Sequence, residues 1–199
     1  MGLFIRPAEA RDRAALFEIC LVTADAGEDA TALYSDPDYP GLVWSVPYLD
    51  FAPAHCFVVD DGGEAVGFVV GTPDTIAFEA ALEQSWWPEL RRRYAGRRPE
   101  KPLDKGVLDY IAKPPRFDAA LVAKYPAHLH INLLAPPRSG GWGRRLIEAE
   151  LASLRAAGAP AVHLGVAARN LKAIGFYEHV GFERLGAEGG GILYGRSLG

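Results

Sequence analysis

Along the chain, short apolar runs of period two give way to stretches that repeat near 3.6, and the changeovers lay out the elements. LFIRPA reads as a short first strand, and RDRAALFEICLVTADA as the helix after it, with Leu16, Ile19, Cys20 and Thr23 on one face. GEDATALYSDPDYPGLVWSVPYLDF is rich in Pro, Asp and aromatics, and Pro37 and Pro40 limit helix there to a short piece around residues 42–49. HCFVVDDGGEAVGFVVGTP splits at Asp61, Gly62 and Gly63 into two β-rich runs, which predicts a hairpin with strands near residues 55–60 and 64–72.

From residue 73 to 125 the pattern is helical and then irregular, in three pieces broken at Pro88, Gly96, Pro99 and the pair Pro114 and Pro115. AHLHINLLA follows as a strand. Residues 141–157 form a helix that turns Leu146, Ile147, Leu151 and Leu154 inward and Glu148, Glu150 and Arg155 outward. AVHLGV is a strand, residues 170–180 a helix capped at Gly181, and FERLGAEGGGILYGRSL a closing pair of strands. The class is α/β with a mixed sheet.

The 199 residues suit one domain, with residues 73–125 as an insertion. Composition is ordinary, 49% hydrophobic and 23% charged, and no apolar run is long enough for a bilayer, so no membrane partner is expected. A formal charge of -4 argues against nucleic acid as the main partner. Cys20 and Cys56 sit in apolar surroundings far apart in sequence, which fits buried thiols in a reducing compartment, hence the cytoplasm. Gly2 follows Met1, but Arg6 stands where a myristoylation signal needs Ser or Thr.

The stretch LLAPPRSGGWGRR carries the first chemistry. A Walker loop needs Lys and then Ser or Thr after the last glycine, and here Arg144 and Arg145 follow Gly143. A dinucleotide fingerprint needs Gly or Ala where Leu146 stands, and an acidic residue ending the next strand, which AVHLGV lacks. What remains is a strand, then Arg138, Gly141 and Gly143 as R-x-x-G-x-G, then a helix. That order turns backbone N–H groups toward an anion such as a pyrophosphate; the alternative is a glycine-rich turn with no ligand. The second constellation is ARNLKAIGFYEHVGFERLG, where Asn170, Ala173 and Tyr177 share one helix face. A tyrosine, with a reference pKa of about 10 against about 8.5 for a thiol, can protonate a departing thiolate. The alternative is that Phe176 and Tyr177 are core aromatics.

Together, R-x-x-G-x-G and N-x-x-A-x-x-F-Y-x-x-x-G-F about thirty residues later resemble the GNAT superfamily of acyl-CoA-dependent N-acetyltransferases. WWPELRRRY, YPAHLHINLLAPP and YGRSL resemble more narrowly the acetyltransferase-like domain at the C-terminus of O-GlcNAcase and its stand-alone bacterial relatives. The resemblance implies a mostly antiparallel mixed sheet of about seven strands flanked by helices, here with a helical insertion between strands 3 and 4. It also implies acetyl-CoA as cofactor and an amine acceptor, a small molecule or a peptide. By position, Leu133, Leu134 and Ala135 would offer backbone to the pantetheine arm. Arg138, Ser139, Gly140, Gly141, Trp142, Gly143 and Arg144 would wrap the pyrophosphate, and Asn170, Ala173 and Phe176 would line the cofactor side of the next helix. Tyr177 matches the general acid.

Direct transfer also needs a route for the amine's proton. Many relatives carry Glu on the fourth strand for this, and this strand has none. His128, His130 and Asn132 share one strand face, and His130 is the candidate base because an unperturbed imidazole, pKa about 6.5, suits that task. The other reading of His130 is a strand histidine with no such role. No metal is expected, since two adjacent histidines lack a third ligand. The insertion, with Trp86, Trp87, Arg91, Arg92, Arg93, Arg97 and Arg98, would be an aromatic and basic flap over the substrate, or else a solvated basic helix with packed tryptophans. The alternative to catalysis is an acetyl-CoA-binding sensor or protein-interaction module.

Overall fold

The β-rich runs pair into one seven-stranded sheet, as a computed structural model of the chain describes it over residues 2–134 and 140–199. The strands are β1 (Phe4–Pro7), β2 (Cys56–Asp61), β3 (Glu64–Thr72), β4 (Ala127–Leu133), β5 (Ala161–Ala167), β6 (Glu183–Glu188) and β7 (Gly191–Ser197). Their order is β1-β2-β3-β4-β5-β7-β6, and every neighbouring pair is antiparallel except β4 with β5. The hairpin from β2 to β3 turns on Gly62 and Gly63, at φ +66° and +105°, where a side chain would be strained.

Alternation along the strands gives the sheet two apolar faces. Val58, Phe68 and Val70 point into a core completed by α1 (Arg13–Leu21), α2 (Tyr39–Trp44), α3 (Val46–Phe51), α4 (Thr75–Ala81), α5 (Trp87–Arg93) and α6 (Asp104–Ala112). A short α7 (Ala119–Lys124) leads into β4. Val59, Val69 and Leu129 point the other way, onto Leu146, Ile147, Leu151 and Leu154 of α8 (Trp142–Ala156) and onto Tyr177 of α9 (Leu171–His179). Asp74, Asp118 and Asn170 cap α4, α7 and α9 by accepting from the backbone N–H three residues on.

Two expectations are corrected. Glu150 is fully buried rather than outside. It stands three residues after Ile147 and four before Leu154, within the apolar stripe, and it fits because Gly71 of β3 has no side chain: a Cβ there would stand 2.3 Å from Glu150 Oε1. Neither Glu150 oxygen has a hydrogen-bond partner among the described residues, and burial pushes its carboxyl up to about 9, so it is protonated at neutral pH.

Of the two readings of the insertion, the structure has its tryptophans packed rather than forming an aromatic flap. Phe78, Leu82, Trp87, Leu90, Val107 and Ile111 are part of the first core, and Trp86 Nε1 donates to Leu42 O at 3.0 Å. Arg91 forks onto Glu83 and reaches Ile111 O, and Arg93 reaches Asp38. It has four α-helices, α4 to α7, where the sequence suggests three pieces. A π-helical turn at Leu82–Trp86 joins α4 to α5, where Pro88 cannot donate to the preceding turn.

Candidate active site

Strands β4 and β5 pair only at Ala127 with Val162 and His128 with His163; beyond that β5 follows β7 and β4 follows β3. A parallel pair that separates so early leaves a wedge open toward the strands' C-terminal ends. Leu134 sends its N–H to Val66 O at 3.0 Å, on the β3 side. Backbone direction alternates along a strand, so Leu129, Ile131 and Leu133 turn their backbone groups toward the wedge. The wedge widens into a cavity of about 900 Å³.

On the α8 side the chain enters the helix through Gly140 and Gly141, at φ +89° and +76°. Gly141 O accepts from Arg145 N at 3.1 Å, and the N–H groups of Trp142, Gly143 and Arg144, in the first turn, have no intrahelical acceptor. Such a terminus favours an anion. Gly143 lies under the Phe176 ring: a Cβ at 143 would stand 3.3 Å from its Cε2 and Cζ. Arg144 pairs with Glu148 at 2.7 Å, while the Arg145 guanidinium sits 4.5 Å from the centre of the Trp142 ring.

Across the wedge, Asn170 Oδ1 accepts from Ala173 N at 3.1 Å and starts α9 at the cavity wall. Tyr177, two turns on, packs among Phe176, Phe182 and Tyr194 with ring centres 5.5, 5.8 and 6.2 Å away. Its hydroxyl has no hydrogen bond to the described residues, Tyr177 lines the cavity, and burial pushes the phenol well above its ordinary value.

The opposite face of β4 carries a polar row. Thr75 Oγ1 donates its single hydrogen to Pro126 O at 2.7 Å, so at 2.7 Å from His128 Nδ1 it must accept. His128 is therefore protonated at Nδ1, and Tyr48 OH donates to its Nε2 at 2.7 Å. Burial, with His130 and His163 adding to it, holds His128 well below the ordinary imidazole range. The same logic orients Asn132. Thr23 Oγ1 donates to Ile19 O at 2.6 Å, and accepts from Asn132 Nδ2 at 2.6 Å. The amide thus keeps Oδ1 free of described partners. His130 lies between them, its ring 5.5 Å from that of Tyr48; burial first and His163 second bring it down to about 4. That corrects the premise that an unperturbed pKa fits it for base work: at pH 7 the imidazole is neutral, with one N–H and one lone-pair nitrogen, and does not carry the second proton.

Of the residues singled out from sequence, His130, Leu133, Gly141, Gly143, Arg144, Asn170, Ala173, Phe176 and Tyr177 meet at this one cavity. Gly140 is in the turn beside it, Trp142 is turned toward Arg145, and Leu134 packs toward the first core. Ala135, Arg138 and Ser139 lie outside the described residues. Cys20, Thr23 and Ala24 at the end of α1, and Trp44 of α2, also line the cavity and carry no motif that marks them. The loop after α1 crosses to α9, where Asp25 pairs with Arg169 and Glu28 with Lys172. Among the described residues no group of three His, Cys, Asp or Glu side chains could hold a metal ion.

Comparison with known proteins agrees with this architecture. The model of the Acetyltransferase (GNAT) family matches residues 120–182, from α7 through α9. Protein O-GlcNAcase of Rattus norvegicus is 25% identical over 201 residues, covering 98% of this chain and 22% of that protein, so the chain spans about a fifth of the length of that relative. The crystal structure of SsHAT superposes with a TM-score of 0.93 at 37% identity, covering 100% of both chains. The structure of yncA from Salmonella typhimurium, with its cofactor acetyl-CoA, shares the fold at a TM-score of 0.58 and 13% identity, over 100% of this chain and 95% of that one. With the splayed strands, the glycine turn and the whole-length likeness to SsHAT in place, the chain belongs to the GNAT family of acetyltransferases, which use acetyl-CoA.

Proposed function

We propose that this chain moves an acetyl group from acetyl-CoA to a primary amine by direct attack, with Tyr177 as the acid. The observation that carries the reading is the convergence of Tyr177 and His130 on one cavity that begins at the glycine turn of α8. The cavity fits the cofactor. Its walls at Gly143 and Phe176 close to contact, the α8 terminus offers N–H donors, and the β4 edge offers backbone to an extended arm. Leu133 would hold that arm, with Ala135 as a further candidate; Gly141, Gly143 and Arg144 would hold the phosphates, joined by Arg138 and Ser139. Acetyl-CoA supplies the activated acyl group.

The amine nitrogen bonds to the acetyl carbon as the carbon–sulfur bond breaks. Tyr177 donates its proton to the sulfur and regains one from solvent, and the amine's surplus protons leave along the His130 side. His130, kept neutral, accepts a hydrogen bond and passes the proton on rather than storing it. Tyr177 stays protonated at every working pH. Cys20, which also lines this cavity, is pushed up to about 12 by burial. That value argues against an acetyl-cysteine route through Cys20, which holds its proton at neutral pH.

Calorimetry and CoA release test the reading together. Acetyl-CoA is expected to bind at micromolar concentrations and to give CoA when amines are supplied. Failure of both acetyl-CoA and CoA to bind overturns the reading; binding without release from any amine favours a sensor module.

A further inference from the structure

The acceptor side of the cavity is built from neutral groups. Asn132 is anchored through Nδ2 to Thr23, whose only hydrogen goes to Ile19 O, so its Oδ1 is an acceptor with no partner among the described residues. His130 presents a neutral ring on the same strand face, and its nitrogens take no hydrogen bond from the described residues. Cys20, Ala24, Trp44 and Val166 line the same cavity, and its charged side chains, Arg144 and Lys172, are cationic. No Asp or Glu lines the cavity among the described residues. The carboxylates of the loop after α1 are engaged elsewhere, Asp25 with Arg169 and Glu28 with Lys172. A second cation on the acceptor would lose water here without gaining a counter-charge, which costs several kcal/mol. Size points the same way: the 900 Å³ must also take the cofactor's arm, and the loop pinned to α9 stands across the wedge.

From this we infer that the acceptor is a small primary monoamine on an uncharged, largely apolar body, its nitrogen held by Asn132 Oδ1 and His130 and its body against Trp44. The inference rests on the acetyl-transfer reading above and narrows it: one amine is read by hydrogen-bond acceptors, and nothing in the walls rewards a second positive charge.

The test compares kcat/KM of the purified protein, with acetyl-CoA saturating, for 2-phenylethylamine, spermidine and a lysine-containing peptide. Phenylethylamine is expected to lead by at least about tenfold, since an unpaired buried charge is worth more than one decade. Trp44→Ala should lower its kcat/KM about tenfold with acetyl-CoA affinity unchanged, and Trp44→Phe should restore most of it. Ala24→Asp, which places a carboxylate in the wall, should move preference toward spermidine, with thermal melting confirming that each variant folds. A lead for spermidine or the peptide in the parent protein overturns this inference and leaves acetyl transfer standing. CoA release with none of the amines, despite acetyl-CoA binding, overturns both.

Discussion

Gly143 and Phe176 approach each other in the wall of the cavity: a Cβ on residue 143 would stand 3.3 Å from the Phe176 ring edge. The approach brings the first turn of α8 against α9, so the two helices that flank the cavity are set against each other by a missing side chain. Gly143→Ala gains about 1 kcal/mol of helix propensity and forces the ring toward the cavity. Melting temperature is expected to change little, while the acetyl-CoA Kd rises about tenfold by calorimetry.

Asn170 does two things at once, capping α9 through Ala173 and lining the cavity. Asn170→Ala removes the cap and is expected to cost about 1 kcal/mol, lowering Tm by roughly 2–4 °C; Asn170→Asp, which still caps, should recover most of that. Thermal unfolding of the two variants against the parent checks it.

Glu150 makes stability fall as pH rises from about 4.5 to about 9. Its carboxyl is about 9 folded, against about 4.5 in the unfolded chain, so the native state holds the extra proton between those values. Its contribution is full below about 4.5 and is lost as pH rises toward 9, by up to roughly 6 kcal/mol if nothing relaxes. Glu150→Gln cannot ionise, and its Tm should exceed the parent's at pH 9 while differing little at pH 5. Equal slopes of Tm against pH for the two proteins would refute the assignment.

His130 is expected to matter for turnover without setting a pH profile near 6.5, because burial already keeps it neutral. His130→Ala should lower kcat about 10- to 100-fold with acetyl-CoA affinity within about twofold. The parent's kcat/KM should show no inflection between pH 6 and 7; an inflection there that His130→Ala removes would mean the imidazole titrates as an ordinary one.

What was legible in the sequence was what local chemistry dictates. The hairpin on Gly62 and Gly63, the apolar stripe of α8 and the left-handed Gly181 at φ +83° each follow from residue type and spacing, and the structure has all three. The glycine turn and the α9 constellation were legible as a pair, since both motifs border the strand that splays. Glu150 was misplaced because its charge outweighed its position in the stripe, and only Gly71, on a distant strand, makes room for it. The insertion's arginines and prolines suggest surface, whereas Phe78, Trp87 and Ile111 bury it into the first core. Long-range packing also hid part of the cavity wall: Cys20, Thr23 and Trp44 line it only when α1 and α2 settle over β4. The low pKa of His130 depends in part on His163, a residue of another strand.

Tyr177→Phe is the most direct test of acetyl transfer with Tyr177 as acid, because it removes one oxygen and keeps the ring among Phe176, Phe182 and Tyr194. Measured as CoA release with a competent amine alongside acetyl-CoA titration, kcat is expected to fall about 100-fold with Kd within about twofold. Equal kcat in mutant and parent would contradict the account.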